Sequence, residues 1–249
     1  MAERASTVRA GIKRVRRRFH GWLGEHPALY LPLVAHRRAF DGTPKAYGRH
    51  TDVVIEGFPR CGNSFAFAAF RLAQPRPVSV AHHLHAPAQV IAGARRGTPT
   101  LVLIRPPDDA VVSLLLRAPD WEPAEAYAAY LRFYASLLPY RERFVLASFA
   151  EVTTDFGQAV RRLNRRFATS FAEFAHTPEN VQRCFDYLDG ITRTNGAAGG
   201  GFEMAVARPS PEREQKKHAV RASILAPELA ALRAEARHVH DLHAQGGAA

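Results

Sequence analysis

The sequence predicts an α/β protein, a single doubly wound domain around a central parallel sheet. Three observations carry this. Short, continuous apolar runs at Asp52-Val-Val-Ile-Glu56, Thr100-Leu-Val-Leu-Ile104 and Phe144-Val-Leu-Ala-Ser148 have the composition of strands buried on both faces. Segments of helical periodicity separate these runs, and strands that alternate with helices imply parallel pairing. The first run breaks at Gly57 and passes into Phe65, Phe67, Ala68, Ala69, Phe70 and Leu72, which suits a packed helix. The segment therefore reads strand, glycine-punctuated loop, helix.

The remaining elements follow in order. Residues 1–49 read as a basic N-terminal helical extension and connector, and 50–245 as the α/β domain. In the extension, Arg4, Arg9, Lys13, Arg14, Arg16, Arg17 and Arg18 crowd a helix whose apolar side is Val8, Ile12, Val15, Phe19 and Trp22. Such a helix can lie on an anionic membrane or on nucleic acid; the plainer expectation is a helix that docks its apolar stripe on the domain. Gly21 to Gly48, with Pro27, Pro32 and Pro44, reads as an irregular connector. After strand 52–56 and helix 63–72 come a short strand near Val78-Ser-Val80, a helix from Pro87 to Arg95, strand 100–104 and a helix from Asp108 to Arg117. Trp121, Ala124, Tyr127, Ala128, Leu131 and Leu138 mark a further helix. Strand 144–148 and helices near 153–167 and 178–188 complete the alternation. Gly190 to Pro211, with Gly196-Ala-Ala-Gly-Gly-Gly201, reads as a long mobile loop, followed by helical pieces from Pro211 and from Pro227 to about Gln245.

Composition limits the partners. The chain has 249 residues, 47% of them hydrophobic, enough for one large core. A formal charge of +11 suits an anionic ligand or surface without choosing among nucleotide, sulfated product, nucleic acid and acidic membrane. Two cysteines, Cys61 and Cys184, make no disulfide framework and point to a reducing compartment. No stretch approaches the roughly 18 apolar residues of a membrane span. A cytoplasmic protein is expected, with membrane contact through the basic N-terminal helix as an option.

The loop Gly57-Phe-Pro-Arg-Cys-Gly-Asn-Ser64 carries the first chemical signal. A strand–loop–helix turns backbone N–H groups and a helix N-terminus towards one point, which favours an anion. Gly57, Gly62 and Ser64 keep the spacing of a phosphate-binding P-loop, but Asn63 stands where a nucleotide triphosphatase carries lysine. A cation appears instead at Arg60. An ordinary glycine turn is the alternative at this point. The residues resemble the PAPS-dependent sulfotransferase family, whose 5′-phosphosulfate loop, Pro-Lys/Arg-Ser-Gly-Thr-Thr-Trp, is matched by Pro59-Arg60-Cys61-Gly62-Asn63-Ser64-Phe65. The resemblance implies that Arg60 and the N–H groups of Cys61, Gly62, Asn63 and Ser64 hold the 5′ end of 3′-phosphoadenosine 5′-phosphosulfate (PAPS). It also implies that Phe65, at the family's tryptophan position, packs on the adenine.

Three further stretches fit that resemblance. Arg105 ends a central strand and Ser113 follows eight positions on, past the acidic pair Asp108-Asp109. An arginine fork with a hydroxyl is a suitable receptor for a phosphate monoester, and the spacing is similar to the family's 3′-phosphate motif. Ala81-His-His-Leu-His85 places three histidines in four positions. A metal reading lacks a completing cysteine or His-Glu-x-x-His pattern, so no metal is expected. His83-Leu84 keep the family's interval before Arg105, which implies His83 as the base that takes an acceptor's proton, with His85 the fallback. An extended segment would turn His82 away from His83 and put His85 on the same side as His83. Last, Arg208 and Lys216 or Lys217 are similar to the family's closing Arg-Lys-Gly loop, although its glycine and tryptophan are missing; a solvated basic helix is the alternative there.

The resemblance covers roughly residues 52–245 and implies sulfuryl transfer from PAPS to a hydroxyl or amine of a small-molecule, lipid or glycan acceptor by in-line displacement, without metal. The rivals are a nucleotide kinase on a variant P-loop and a non-catalytic basic module for nucleic acid or membrane. Asn63 opposes the first. The second has no need of an Arg105/Ser113 pair, so no nucleic-acid partner is expected.

Overall fold

The computed structural model describes residues 2–38, 42–194 and 211–246. Four strands, β1 (Val53–Gly57), β2 (Val80–His82), β3 (Thr100–Ile104) and β4 (Val145–Ser148), form one parallel sheet in the order β2-β1-β3-β4. Every residue of β1 and β3 is buried, the Glu56 carboxylate of β1 included. In register, Ile55 faces His82 on one side and Leu101 on the other, and Gly57 pairs with Leu103.

The chain leaves β1 for β2 and then returns across β1 to β3. Right-handed crossovers in opposite directions place the two connecting helices on opposite faces. Accordingly α3 (Asn63–Ala73) packs on β1 with α7 (Phe149–Thr154), α8 (Phe156–Phe167) and α9 (Pro178–Thr194), while α4 (Pro87–Arg96) covers β1 and β3. α5 (Pro107–Arg117) and α6 (Pro123–Ala135) pack on each other, and α10 (Pro211–Ile224) and α11 (Ala230–Gly246) pack against them. The order reverses between β1 and β3, where the carboxyl ends of a doubly wound sheet form a crevice.

Several boundaries differ from expectation. The connector contains a helix, α2 (Pro27–Val34), which buries Tyr30 and Val34; Pro27 opens it at a position whose N–H has no helical acceptor, so proline starts the element it was expected to break. β2 begins two residues late, at Val80, because Ser79 is held by Asp52: its N–H donates to Asp52 Oδ2 at 2.8 Å and its carbonyl accepts from Asp52 N at 2.9 Å. The helix expected near 153–167 is two helices, capped by Ser148 and Asp155. α9 runs on to Thr194, into the segment expected to be a loop, and residues 195–210 lie outside the described residues.

α1 (Ala2–Leu23) reverses the plain expectation. Its charged side meets the domain: Lys13 and Arg17 pair with Asp120 at 3.4 and 3.1 Å, and Arg14 and Arg17 with Glu125 at 2.7 and 2.9 Å. Its apolar side faces out, with Ile12, Val15, Phe19 and Trp22 exposed by 62, 68, 60 and 47%. The start of α6 offers carboxylates rather than an apolar groove, so ion pairs decide which face docks. Among the described residues no helix is long and apolar enough to cross a membrane.

Candidate active site at the carboxyl ends of β1 and β3

The loop after β1 is shaped by close approach and by left-handed backbone. At Gly57 a Cβ would lie 2.5 Å from Leu103 O, so the strand end admits no side chain. Arg60 and Gly62 are left-handed, with φ of 71° and 92°, and flank Cys61. Such alternation curls successive N–H groups into an anion-binding concavity. α3 then begins at Asn63 without a side-chain cap. Its first intrahelical bond runs from Ala66 N to Gly62 O, at 2.9 Å, so the amides of Asn63, Ser64 and Phe65 precede any helical acceptor and point out of the helix start.

One loop amide, that of Cys61, is used otherwise than the resemblance implies. The N–H of Cys61 donates to Phe58 O at 3.3 Å, which commits it to the loop's own turn rather than to a ligand. Burial pushes the Cys61 thiol up to about 12, against the contrary pull of the Tyr134 hydroxyl and the nearby arginines, so it is packing and not a nucleophile. That hydroxyl lies 3.3 Å from Sγ, donates to Leu103 O at 2.6 Å and accepts from Phe58 N at 3.4 Å. Asn63 is buried and turns back, its Nδ2 donating to Phe58 O at 2.9 Å. The position of a triphosphatase lysine thus holds a brace for the loop.

Three of the expected residues meet beside this loop. Arg60 Nε donates to Ser113 Oγ on α5 at 3.1 Å. Arg105, at the end of β3, donates from Nη1 to Arg60 O at 3.1 Å, and its guanidinium lies 4.0 Å from the centre of the Phe149 ring. The Tyr130 hydroxyl donates to Arg105 O at 2.8 Å. The acidic pair has another task. Asp108 takes the Tyr127 hydroxyl at 2.6 Å, Arg233 at 2.9 Å and Arg237 at 2.6 Å, and Asp109 takes Arg221 at 2.6 Å. Burial works to raise the Asp108 carboxyl, but these partners hold it at about 2. The pair ties α10 and α11 to α5.

On the other side of the loop stand the histidines. The segment after β2 is not extended: His83 and His85 are left-handed, with φ of 54° and 52°. Among the described residues only four non-glycines are left-handed, and three of them, Arg60, His83 and His85, lie here; the fourth, Ala168, ends α8. Such strained backbone clusters at active sites and ligand clamps, which makes this turn part of the candidate site. The turned backbone corrects the expected geometry, because it points His82 towards His83, Nδ1 to Nδ1 at 2.6 Å. The His82 ring stacks on Phe67 at 3.8 Å. His83 Nε2 lies 3.1 Å from Ser64 Oγ, at the start of α3. Burial holds the His83 imidazole well below its ordinary value, helped by the neighbouring His82, His85 and Lys45. It is neutral at pH 7. His85 turns elsewhere and donates from Nδ1 to Gly57 O at 2.9 Å.

Glu56 is the participant that sequence reading missed. It is fully buried within β1 and accepts from Leu84 N at 2.9 Å, Gln89 Nε2 at 2.7 Å and Gly57 N at 3.2 Å. Burial raises its pKa, with His85, 3.6 Å from Oε1, and these donors pulling the other way. It joins the strand end, the histidine turn and α4. The available signal was a lone carboxylate inside an apolar strand.

The remaining expectations divide. Phe65 is buried among Phe174, Phe185 and His176, with ring centres 6.0, 5.9 and 5.6 Å away. Arg208 lies outside the described residues. Among the described residues no three His, Cys, Asp or Glu side chains are grouped to hold a metal ion.

No family model matches the chain, and no curated protein matches it. Among solved structures, the crystal structure of mouse sulfotransferase SULT7A1 complexed with PAP is similar over 84% of this chain and 92% of that chain, at 12% identity and a TM-score of 0.41. At that distance the likeness carries no argument about chemistry.

Proposed function

We propose that the chain is a sulfotransferase that takes a sulfuryl group from PAPS and passes it to a hydroxyl or amine of a small-molecule, lipid or glycan acceptor. One observation carries this reading. At the crevice between β1 and β3, Arg60 bridges to Ser113 while Arg105 braces the same loop, and the neutral His83 stands at the opposite edge on Ser64. Read as one receptor of loop amides with Arg60 and a second of Arg105 with Ser113, with a base beside the same loop, the arrangement suits a nucleotide phosphorylated at two ends better than a triphosphate. The braced Asn63 points the same way, since it offers no cation where a triphosphatase carries one.

The residues fit the cofactor. The amides of Asn63, Ser64 and Phe65, with Arg60, would hold the 5′ end, and Ser113 with Arg105 the 3′-phosphate. When bound, the cofactor supplies the activated sulfuryl group. Arg60 would then neutralise charge that develops at the 5′ phosphate, the effect usually worth most in such sites. His83 would take the acceptor's proton at Nε2, which requires Nδ1 to carry hydrogen and donate to His82. The Ser64 hydroxyl holds Nε2 in this structure and yields it to the acceptor.

The test is transfer of label from sulfur-labelled PAPS to acceptors in a cell extract. A labelled product that depends on the protein and vanishes in His83→Ala supports the reading. Labelled phosphate transfer from ATP under the same conditions would replace it with the kinase reading.

A further inference from the structure

We infer that the outward stripe of α1 is a docking surface for an anionic phospholipid bilayer. A surface helix ordinarily buries its apolar side and shows its charges to water. α1 does the opposite. Lys13, Arg14 and Arg17 are spent on Asp120 and Glu125, while Ile12, Val15, Phe19 and Trp22 stand exposed. At about 3.6 residues per turn these four positions share one side, directed away from the ion-paired one. A cleft of about 430 Å3 separates α1 from α6, lined by Arg14, Arg17, Arg18, Trp121, Glu125 and Arg132 among others, and it shares no residue with the loop of the candidate active site.

The chemistry of the stripe selects its occupant. The exposed Arg16 falls on one edge of the stripe, and the exposed Arg18, which also lines the cleft, on the other; a long cationic side chain at such an edge reaches lipid phosphates while the apolar row enters the acyl boundary. Phe19 and Trp22 lie 5.9 Å apart, and Trp22 continues onto His26 at 4.7 Å, immediately before α2. An indole is suited to the depth between headgroup and chain. α2 adds Leu29 and Leu33, 50 and 59% exposed. The formal charge of +11 draws the whole chain to a negative surface. A second copy fits poorly, because a two-fold contact through this face would set the same arginines against one another.

The inference is independent of the reading of the loop, and its test needs no cofactor. The full chain is sedimented with vesicles of equal parts phosphatidylglycerol and phosphatidylcholine, and with vesicles of phosphatidylcholine alone. Wild type should bind the anionic vesicles at least tenfold more tightly than the neutral ones. The tryptophan emission should shift to the blue on binding. Phe19→Ser/Trp22→Ser, whose rings touch each other and His26 at the surface, should lose at least tenfold in vesicle affinity with the melting temperature within about 2 °C of wild type. Failure of wild type to bind anionic vesicles would overturn the proposal. So would a double variant that binds as wild type, since net charge alone would then explain the attraction. A wild-type dimer in solution that the double variant dissociates would assign the stripe to a second copy instead.

Discussion

His82 and His83 face each other Nδ1 to Nδ1 at 2.6 Å, so one proton lies between the two rings and one ring must accept it. For His83 to be a base at Nε2, the proton belongs to His83 and His82 is the acceptor. His83→Ala should therefore lower turnover by about 10²–10⁴-fold with 3′,5′-ADP affinity nearly intact. His82→Ala should also slow transfer, by roughly fivefold for an orienting hydrogen bond worth ~1 kcal/mol, and His82→Asn, which keeps an acceptor, should restore most of the rate. His85→Ala leaves this pair untouched. Steady-state kinetics with an identified acceptor check all four, and a His85→Ala variant that alone stops transfer would move the base to that residue.

The depressed pKa of His83 sets the pH behaviour. The neutral form is the active one, so turnover should hold steady as pH falls through ~6.5, where an ordinary imidazole is half protonated. Stability moves the other way. The unfolded chain takes up the proton first as pH falls, so the folded state weakens progressively below ~6.5 and is strongest above it. His243, lowered by burial while its Nε2 contacts Tyr134 O at 2.8 Å, contributes in the same direction. Melting temperatures between pH 4 and 8 should fall on the acid side, less steeply in His83→Gln. An acid limb in turnover near pH 6.5 would contradict the assignment.

Arg60 and Arg105 share one loop but should separate kinetically. Arg105 would contact a group unchanged in the reaction, so Arg105→Ala should weaken 3′,5′-ADP binding. Arg60 would meet charge that develops in the transition state, so Arg60→Ala should mainly slow turnover at saturating cofactor. Full turnover in Arg60→Ala would remove its catalytic role.

Asp108 holds the C-terminal helices and should be felt in stability rather than in chemistry. Asp108→Asn weakens charge-assisted bonds from two arginines, and a loss of ~2 kcal/mol in urea unfolding is expected. Because its folded carboxyl sits at about 2, below the ordinary ~3.9, its contribution is present above pH ~4 and fades as pH falls towards 2. Unchanged urea midpoints at pH 7 would mean that the α5–α11 contact is dispensable.

What the sequence made legible follows the physics of burial. β3 matches its apolar run residue for residue because a strand buried on both faces has no polar side to blur its ends. β2 is only three residues long; Asp52 holds Ser79 ahead of its start and His82 is its last residue, so neither end shows in the apolar pattern. The residues Arg60, Ser64, His83, Arg105 and Ser113 were singled out by their resemblance to a family's motifs, and they lie around one loop. Their pairing was not, because it depends on left-handed backbone at Arg60, His83 and His85, which no local rule assigns to such residues. Periodicity likewise revealed that α1 has an apolar side but not that Asp120 and Glu125 would claim the other one.

Calorimetric titration with 3′,5′-ADP, run beside 5′-ADP and ATP with Mg2+, reaches the central claim without an acceptor. Two anion receptors around Arg60, Arg105 and Ser113 should give one strong site for 3′,5′-ADP, with at least tenfold weaker binding of 5′-ADP and of ATP, and a rise in melting temperature for the first ligand only. Equal affinity for 5′-ADP would contradict the Arg105/Ser113 receptor, and tighter binding of ATP with Mg2+ would contradict the sulfotransferase reading itself.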